Sequence, residues 1–241
     1  MIGRPRWQRD EMALPGVDFA DAGEAGAHVR MVTDDAARFD AIIQRIGLRP
    51  EATLVDIGAG GGGFAIHAAG RCRQVIAVDV SEAMLDIARQ RATSAGATNI
   101  RFVHAGFLTY EHADPAADVI VSHAALHHLP DAWKAIALTR LAAMLAPLGR
   151  LHVQDVVYAF APAQYRAAFD RFVAGAVGHF GPEMAPRAEA TIRDEFPTWD
   201  WILEGMLRRA GFRIDLADYR GELAEYLCTK VSGGAAAKER I

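Results

Sequence analysis

The most informative stretch of this chain is Leu54-Val55-Asp56-Ile57-Gly58-Ala59-Gly60-Gly61-Gly62-Gly63-Phe64. It begins with an apolar run of the kind that forms a strand covered on both faces, and it continues into a loop rich in glycine. Glycines at a junction between a strand and a helix let the backbone turn tightly and let a ligand lie against the main chain. This stretch therefore predicts a ligand-binding loop at the carboxyl end of a buried strand.

Strand-like and helix-like segments alternate after this loop, which indicates βαβ units and a parallel sheet. Two final strand-like runs are joined only by a short turn at Gly221, so they must be antiparallel. The fold class is therefore predicted as α/β, with a Rossmann-like, doubly wound, seven-stranded sheet that is mostly parallel and has an antiparallel C-terminal hairpin strand. The strands after the first are predicted at residues 74–78, 100–103, 118–121, 149–157, 212–219 and 223–230.

The length and composition suit one main domain. A chain of 241 residues that is 51% hydrophobic and 23% charged can bury a large core. Residues 34–231 are predicted to form this domain, within which residues 181–197 show no regular pattern. Residues 1–33 are interpreted as an N-terminal arm, and residues 232–241, rich in glycine and alanine, are predicted to be a disordered tail.

Charge and cysteine content argue against several classes of protein. A net charge of −4 provides no broad basic surface, so we expect no nucleic-acid partner. Cys72 and Cys228 lie far apart and indicate neither a disulfide framework nor a zinc cluster. The N-terminus shows no signal peptide, and no run reaches the ~20 apolar residues of a membrane-spanning helix. We therefore expect a cytoplasmic protein with no membrane partner.

Two acidic residues bear on the identity of the ligand. Asp56 lies at the end of the first strand, where a carboxylate would repel a pyrophosphate but would suit a ligand that carries ammonium and sulfonium groups. Asp79 ends the second strand, about 20 residues beyond the loop, where an acidic side chain can accept both ribose hydroxyls. Gly58, Gly60 and Gly63 satisfy the dinucleotide fingerprint, so the glycines alone do not select the cofactor.

Five motifs resemble, in order, those of class I S-adenosylmethionine-dependent methyltransferases. They are Asp56-x-Gly58-x-Gly60-x-Gly62 and residues 78–81, 100–108, 119–131 and 145–151. The C-terminal hairpin is similar to the family's inserted antiparallel strand. The resemblance covers roughly residues 52–230, and it looks closest to the small-molecule branch typified by ubiquinone and menaquinone biosynthesis methyltransferases.

This resemblance implies S-adenosyl-L-methionine as the cofactor and a small molecule as the methyl acceptor. In two places the chain departs from the family pattern. Gly106 stands where an acidic residue usually contacts the adenine amino group, so that group must find another acceptor, such as a main-chain carbonyl. Leu148 stands inside a turn that is usually Pro-Gly-Gly, which predicts a slightly altered turn. The implied cofactor-binding residues are Asp56, Gly58, Gly60, Gly62, Asp79, Val80, Met84, Gly106, Phe107 and Ser122.

Histidines after the fourth strand are the candidate catalytic residues. Ligands bind beyond the carboxyl ends of parallel strands, and histidine titrates near neutral pH. We therefore predict His123 and His127 as candidate general bases, although positioning alone can drive methyl transfer and a base is optional. The alternative is that His127 and His128 only anchor the loop. No metal site is predicted, because these three histidines lack an obvious carboxylate partner.

Two other functions stay open. An NAD(P)-dependent oxidoreductase would share Gly58, Gly60 and Gly63, but it explains neither Asp56 nor the final hairpin. A protein that binds S-adenosylmethionine and catalyses nothing would share every motif. The accepting atom and the oligomeric state, with a homodimer as one candidate, cannot be read from any pattern in the sequence.

The N-terminal arm is a candidate lid over the acceptor pocket. It carries Trp7, Met12, Leu14 and Phe19, whose burial over a cleft would exclude water from the reaction. A lid predicts that deleting residues 1–22 lowers methyl transfer and preserves most of the cofactor affinity. The alternatives are an arm that packs on a neighbouring subunit and an arm that is disordered.

Overall fold

The computed structural model describes residues 5–13, 19, 21–31, 34–113 and 115–231. Leu14 of the candidate lid and the tail predicted at 232–241 lie outside the described residues. None of the helices within the described ranges combines the length and the apolar character that crossing a bilayer requires.

Strands and helices alternate along the first two thirds of the chain, as predicted. The strands are β1 (Thr53–Ile57), β2 (Gln74–Asp79), β3 (Ile100–His104), β4 (Ala117–His123), β5 (Leu145–Tyr158), β6 (Thr198–Trp199), β7 (Phe212–Arg220) and β8 (Leu223–Lys230). The α-helices are α1 (Ala22–Met31), α2 (Ala36–Ile46), α3 (Gly63–Ala69), α4 (Glu82–Ser94), α5 (Asp131–Met144), α6 (Tyr165–Phe180), α7 (Ala185–Asp194) and α8 (Asp200–Arg209).

Seven strands form the main sheet in the order β3-β2-β1-β4-β5-β8-β7, and the two-residue β6 pairs with the end of β5. The pairs among β1 to β5 are parallel, whereas β8 lies antiparallel to both β5 and β7. The strand order reverses between β1 and β4, and open α/β sheets bind ligands beyond the carboxyl ends of the strands at such a point. The predicted fold class is confirmed.

Helices cover both faces of the sheet and create two apolar layers. One layer packs residues such as Leu138 and Leu141 of α5 against Ile57 and Val78. The other packs Phe39 and Ile43 of α2 against the opposite face. Because β1 is buried along its whole length, its carboxyl end is held rigidly where the glycine loop begins.

Two predicted boundaries are wrong. Residues 181–197 are not irregular, because α7 occupies Ala185–Asp194. Proline is tolerated in the first turn of a helix, so the proline at the start of this segment did not break it. Strand β5 begins at Leu145 instead of residue 149, and Leu148 adopts a left-handed conformation with φ of 62°. A non-glycine residue therefore takes a conformation that favours glycine, which is the altered turn that the sequence predicted.

Candidate functional site

The glycine loop between β1 and α3 forms one wall of the crevice at the switch point. Gly58, Gly60 and Gly62 have φ angles of 77°, 52° and 76°, a left-handed region that side chains rarely adopt. A Cβ atom at Gly58 would lie 2.3 Å from the Cβ atom of Ala125 in the loop after β4. Glycine is therefore required at position 58 both for the turn and for the close approach of the two loops.

Asp79 joins this loop to the end of β2. Its Oδ2 accepts a hydrogen bond from the Gly60 N–H at 2.7 Å, and its Oδ1 accepts one from the Ser81 N–H at 2.8 Å. The side chain is buried, and burial raises the pKa of its carboxyl above the ordinary value. The Val80 N–H also hydrogen-bonds to this carboxylate. Because a carboxylate offers about four acceptor positions, Asp79 can hold the loop and still accept a hydrogen bond from a polyol.

Asp56 is a buried carboxyl group that is not paired with a positively charged side chain among the described residues. Only 2% of the residue is exposed, and within the described ranges it takes part in no ion pair. Burial, followed by the charge of Asp79, raises the pKa of Asp56 to about 7, against a hydrogen bond from the Ala65 N–H that lowers it. A buried carboxylate of this kind is compensated best by a positively charged ligand.

Ser122, at the end of β4, provides a second sign of an incomplete site. Its Oγ is buried and has no hydrogen-bond partner among the described residues, although buried hydroxyls are normally paired. Asp56 and Ser122 thus present a negative charge and an unpaired hydroxyl on the central strands of the sheet. Both features fit a ligand that is cationic and rich in hydrogen-bonding groups.

The remaining predicted cofactor residues follow β2 and β3. Met84 and Phe107 are buried in the apolar interior, so their side chains support the crevice walls. Val80 lies against Gly106, where a Cβ atom would be 2.6 Å from Val80 Cγ1. These contacts bring together the loops after β2 and β3, but the binding roles of these residues stay predictions.

His123 lies at the end of a buried polar chain. Its Nε2 is 3.0 Å from Nδ1 of His152, whose Nε2 is 2.9 Å from Oε1 of Glu225, and Glu225 pairs with Arg45. Burial, reinforced by the charge of His152, lowers the pKa of His123 to about 3. A ring with so low a pKa is a weak proton acceptor near neutral pH, and this geometry favours a structural role for His123.

His127 is held between two carboxylates. Its Nδ1 lies 2.5 Å from Oδ1 of Asp155, and its Nε2 lies 3.3 Å from Oε2 of Glu195. Burial alone would lower the pKa of His127, but the two carboxylates outweigh it and raise the pKa to about 9. The ring is therefore an imidazolium near neutral pH. For Asp155, burial alone would raise the pKa, but the charge of His127 and its hydrogen bond bring the pKa of Asp155 below the ordinary value.

Glu195, which follows α7, was missed from the sequence. It lies in the segment predicted to be irregular, far along the chain from His127, and no local pattern connects the two residues. A backbone hydrogen bond from Phe196 N to the His127 carbonyl, at 2.9 Å, fixes this approach. One ligand atom from each of His127, His128 and Glu195 lies within 4.8 Å of the others, so these side chains could hold a metal ion. The carboxylate that the three histidines considered in the sequence analysis lacked is thus present, and Glu195 takes the place of His123 in this group.

The N-terminal arm crosses the site at several points. The guanidinium of Arg9 lies 5.0 Å from the ring centre of Phe196, and Ser81 Oγ donates a hydrogen bond to the Phe19 carbonyl. Val29 of α1 covers the glycine loop, since a Cβ atom at Gly61 would lie 2.6 Å from its Cγ2. The expected burial of two apolar side chains is wrong, because Trp7 is 76% and Met12 is 40% exposed.

Comparisons with known proteins agree with this geometry. A family model described as "Methyltransferase domain" matches residues 54–149. An uncharacterized methyltransferase of Mycobacterium bovis is 35% identical over 119 residues, which cover 49% of this chain and 58% of that protein. The ubiquinone biosynthesis O-methyltransferase of Serratia proteamaculans is 32% identical over 95 residues, 39% of each chain. This chain therefore spans little more than half the length of the mycobacterial relative.

The fold is also shared with a solved structure. A SAM-dependent methyltransferase from Aquifex aeolicus superposes with a TM-score of 0.61 at 18% identity, over 88% of this chain and 99% of that one. At this identity the comparison establishes the fold alone. The match to the family model includes most of β1, the glycine loop and β4. Residues 54–149 thus resemble a methyltransferase domain, and this likeness supports the class I S-adenosylmethionine-dependent methyltransferase family that the sequence motifs predicted.

Proposed function

We propose that this protein transfers a methyl group from S-adenosyl-L-methionine to a small-molecule acceptor. One observation carries the proposal: a left-handed glycine loop lies between two buried carboxyl groups, Asp56 and Asp79, at the switch point of the sheet. This arrangement suits an adenosyl ligand that carries positive charge. The negative site would oppose the pyrophosphate of NAD(P), so the oxidoreductase alternative is disfavoured.

Each wall of the crevice has a proposed part in holding the cofactor. The glycine loop lets the methionine portion approach the backbone, and Asp56 offsets its positive charge. Asp79 accepts a ribose hydroxyl with the acceptor capacity that the backbone N–H groups of Gly60, Val80 and Ser81 leave free. The Ser122 hydroxyl, which has no hydrogen-bond partner among the described residues, gains one from the bound cofactor.

The bound cofactor supplies an electrophilic methyl group on its sulfonium, and the protein positions the acceptor and excludes water. Orientation of this kind can contribute roughly 7–11 kcal/mol to lowering a barrier. The loop after β4 is packed against the glycine loop at Gly58, so it lies beside the cofactor crevice. The acceptor pocket is therefore proposed between this loop and the Glu195 segment.

His127 is the better supported of the two predicted catalytic residues. Because its ring is an imidazolium near neutral pH, it cannot act as a base while it keeps that proton. We propose instead that the imidazolium, oriented by Asp155, stabilises negative charge on an acceptor such as a phenol or carboxylate. Glu195 offers an alternative partner for the same ring when no acceptor is bound.

The arm before residue 34 is proposed to be a lid. Its contacts with Gly61, Ser81 and Phe196 lie on three sides of the crevice, and Glu24 of α1 pairs with Arg187 of α7 at 3.0 Å. None of these contacts is a pairing between strands, so the arm can open without disrupting the sheet. A cytoplasmic location stays a prediction from the sequence, as do the disordered tail and the homodimer.

A product assay tests this function. The protein is incubated with S-adenosylmethionine and panels of small phenols, carboxylates, amines and thiols, and S-adenosylhomocysteine formation is measured. We expect turnover with at least one small acceptor, strongest among acceptors that carry negative charge. Methyl incorporation into bulk tRNA without turnover of any small molecule would contradict the proposed acceptor class. Cofactor binding without turnover on either substrate class would favour a binding protein.

A further inference from the structure

Three side chains that can bind a metal ion meet where the loop after β4 faces the segment after α7. One ligand atom from each of His127, His128 and Glu195 lies within 4.8 Å of the other two. His127 Nε2 is 3.3 Å from Glu195 Oε2, and His128 Nδ1 is 3.8 Å from Glu195 Oε1. Ligand atoms about 2.0–2.1 Å from one tetrahedral zinc ion lie roughly 3.4 Å apart, so a shared ion requires little rearrangement.

Two atoms of this group are buried and lack a hydrogen bond. His128 Nδ1 and Glu195 Oε2 have no hydrogen-bond partner among the described residues. The Glu195 side chain is only 5% exposed, which leaves little access for solvent. Its contact with His127 is therefore an ion pair without hydrogen-bond geometry. An imidazole nitrogen and a carboxylate oxygen that are buried side by side without partners are satisfied together by a metal ion.

The outer partner of His127 is the kind that orients a metal-bound histidine. His127 Nδ1 lies 2.5 Å from Asp155 Oδ1, and Asp155 Oδ2 accepts a hydrogen bond from the Leu126 N–H at 2.7 Å. A histidine that binds a metal usually donates its other ring N–H to a carboxylate, which fixes the ring and its tautomer. Asp155 thus directs Nε2 of His127 toward Glu195.

Buried polar contacts also hold Glu195 in place through the residue that follows it. The Phe196 N–H donates to the His127 carbonyl at 2.9 Å, and Lys134 Nζ donates to the Phe196 carbonyl. Lys134 is only 2% exposed and also donates to Asp131 Oδ1 at 2.9 Å. The carboxylate is therefore fixed both by α5 and by the loop after β4, so the group is preorganised.

We propose that His127 Nε2, His128 Nδ1 and Glu195 bind a divalent transition metal ion, with Zn²⁺ as the preferred ion. Imidazole nitrogens suit zinc, whereas Mg²⁺ prefers oxygen ligands. Two histidines and one carboxylate leave the fourth position of a tetrahedral ion open, as in zinc sites that bind a water or a small-molecule oxygen. The proposal departs from the sequence-based expectation of no metal site, because Glu195 reaches the histidines only through tertiary packing.

The metal ion and a proton are alternative partners of His127 Nε2. In the metal-free protein this ring is an imidazolium, and a bound ion takes the place of the Nε2 proton, which passes to solvent. Either partner puts positive charge between His127 and Glu195, in the wall of the proposed acceptor pocket. The site contains none of the proposed cofactor residues, so the inference goes beyond the proposed function and does not depend on methyl transfer.

Calorimetry with Zn²⁺ tests the site in protein that carries no histidine tag and has been freed of metal with a chelator. The wild-type protein should bind a single Zn²⁺ per chain, and Mg²⁺ should bind at least about 100-fold more weakly. Asp155→Asn should weaken Zn²⁺ binding by about 10–100-fold, and Glu195→Gln, which removes a ligand charge at constant size, by about 100-fold or more. Glu222→Gln, which changes a buried glutamate outside the group, is the matched control and should keep the wild-type affinity.

X-ray absorption at the zinc edge identifies the ligands, and two imidazole nitrogens with oxygen donors at about 2.0–2.2 Å are expected. Absence of Zn²⁺ binding by the wild-type protein would overturn the inference without any variant. Equal affinity for Zn²⁺ and Mg²⁺, equal effects of Glu195→Gln and Glu222→Gln, or a spectrum without imidazole would overturn it as well. Because the test uses neither S-adenosylmethionine nor an acceptor, its failure is distinguishable from failure of the proposed function.

Discussion

Replacement of Asp56 by asparagine should stabilise the ligand-free protein at alkaline pH and weaken its cofactor binding. When the pKa of an aspartate rises on folding, its contribution to the stability of the folded state is fully present below the unfolded pKa and is lost as pH rises through the folded pKa. For Asp56 this contribution is therefore lost between pH 3.8 and about pH 7. At about 1.4 kcal/mol for each pKa unit, the ionised carboxylate costs on the order of 4 kcal/mol above pH 8.

Asparagine keeps the size of the side chain and the acceptor for the Ala65 N–H while it removes the titration. The stability of Asp56→Asn relative to wild type should therefore increase by about 2–3 kcal/mol between pH 5 and pH 8.5. Urea unfolding of both proteins at the two pH values measures this difference. The same variant should bind S-adenosylmethionine about tenfold or more weakly at pH 7.5, because it no longer offsets positive charge. A pH-independent difference in stability, or unchanged affinity, would refute the reasoning.

Two further predictions concern the loops around the crevice. Gly58→Ala should destabilise the protein by about 2–4 kcal/mol in urea unfolding, since its Cβ atom would clash with Ala125 at a left-handed φ; Gly70→Ala, at φ of −71° with open space around it, should change stability by less than about 1 kcal/mol. Equal effects of the two changes would contradict the packing argument. Activity that needs the His127 imidazolium should fall as pH rises through about 9, and Asp155→Asn should move this fall to lower pH; a rate that instead rises with pH would identify His127 as a base.

The fold could be predicted from the sequence because its signals are local. The buried run of β1, the glycines after it and the short turn at Gly221 each specify their own conformation within a few residues. The turn at Leu148 was recognised from its departure from the usual glycine, although the early start of β5 was not. Helix α7 was missed because its proline resembles a loop signal, whereas the first turn of a helix accepts that residue.

The site was predictable only where its residues end strands. Asp56, Asp79 and Ser122 lie at the carboxyl ends of strands that the pattern had located, so topology brought them together. Glu195 comes from the segment after α7, and its position follows from tertiary packing that no spacing encodes. The high pKa of His127 was equally inaccessible, because it depends on Glu195 as well as Asp155.

The central claim is that the crevice binds an adenosyl ligand carrying positive charge, and ligand-dependent thermal unfolding tests it most directly. The melting temperature is measured with S-adenosylmethionine, S-adenosylhomocysteine, NADH and NADPH, each over a range of concentrations. A ligand present at 100 times its dissociation constant adds roughly 2.7 kcal/mol to the stability of the folded state. We predict that both adenosyl compounds raise the melting temperature and that neither dinucleotide does. A rise with NADH or NADPH alone would contradict the account.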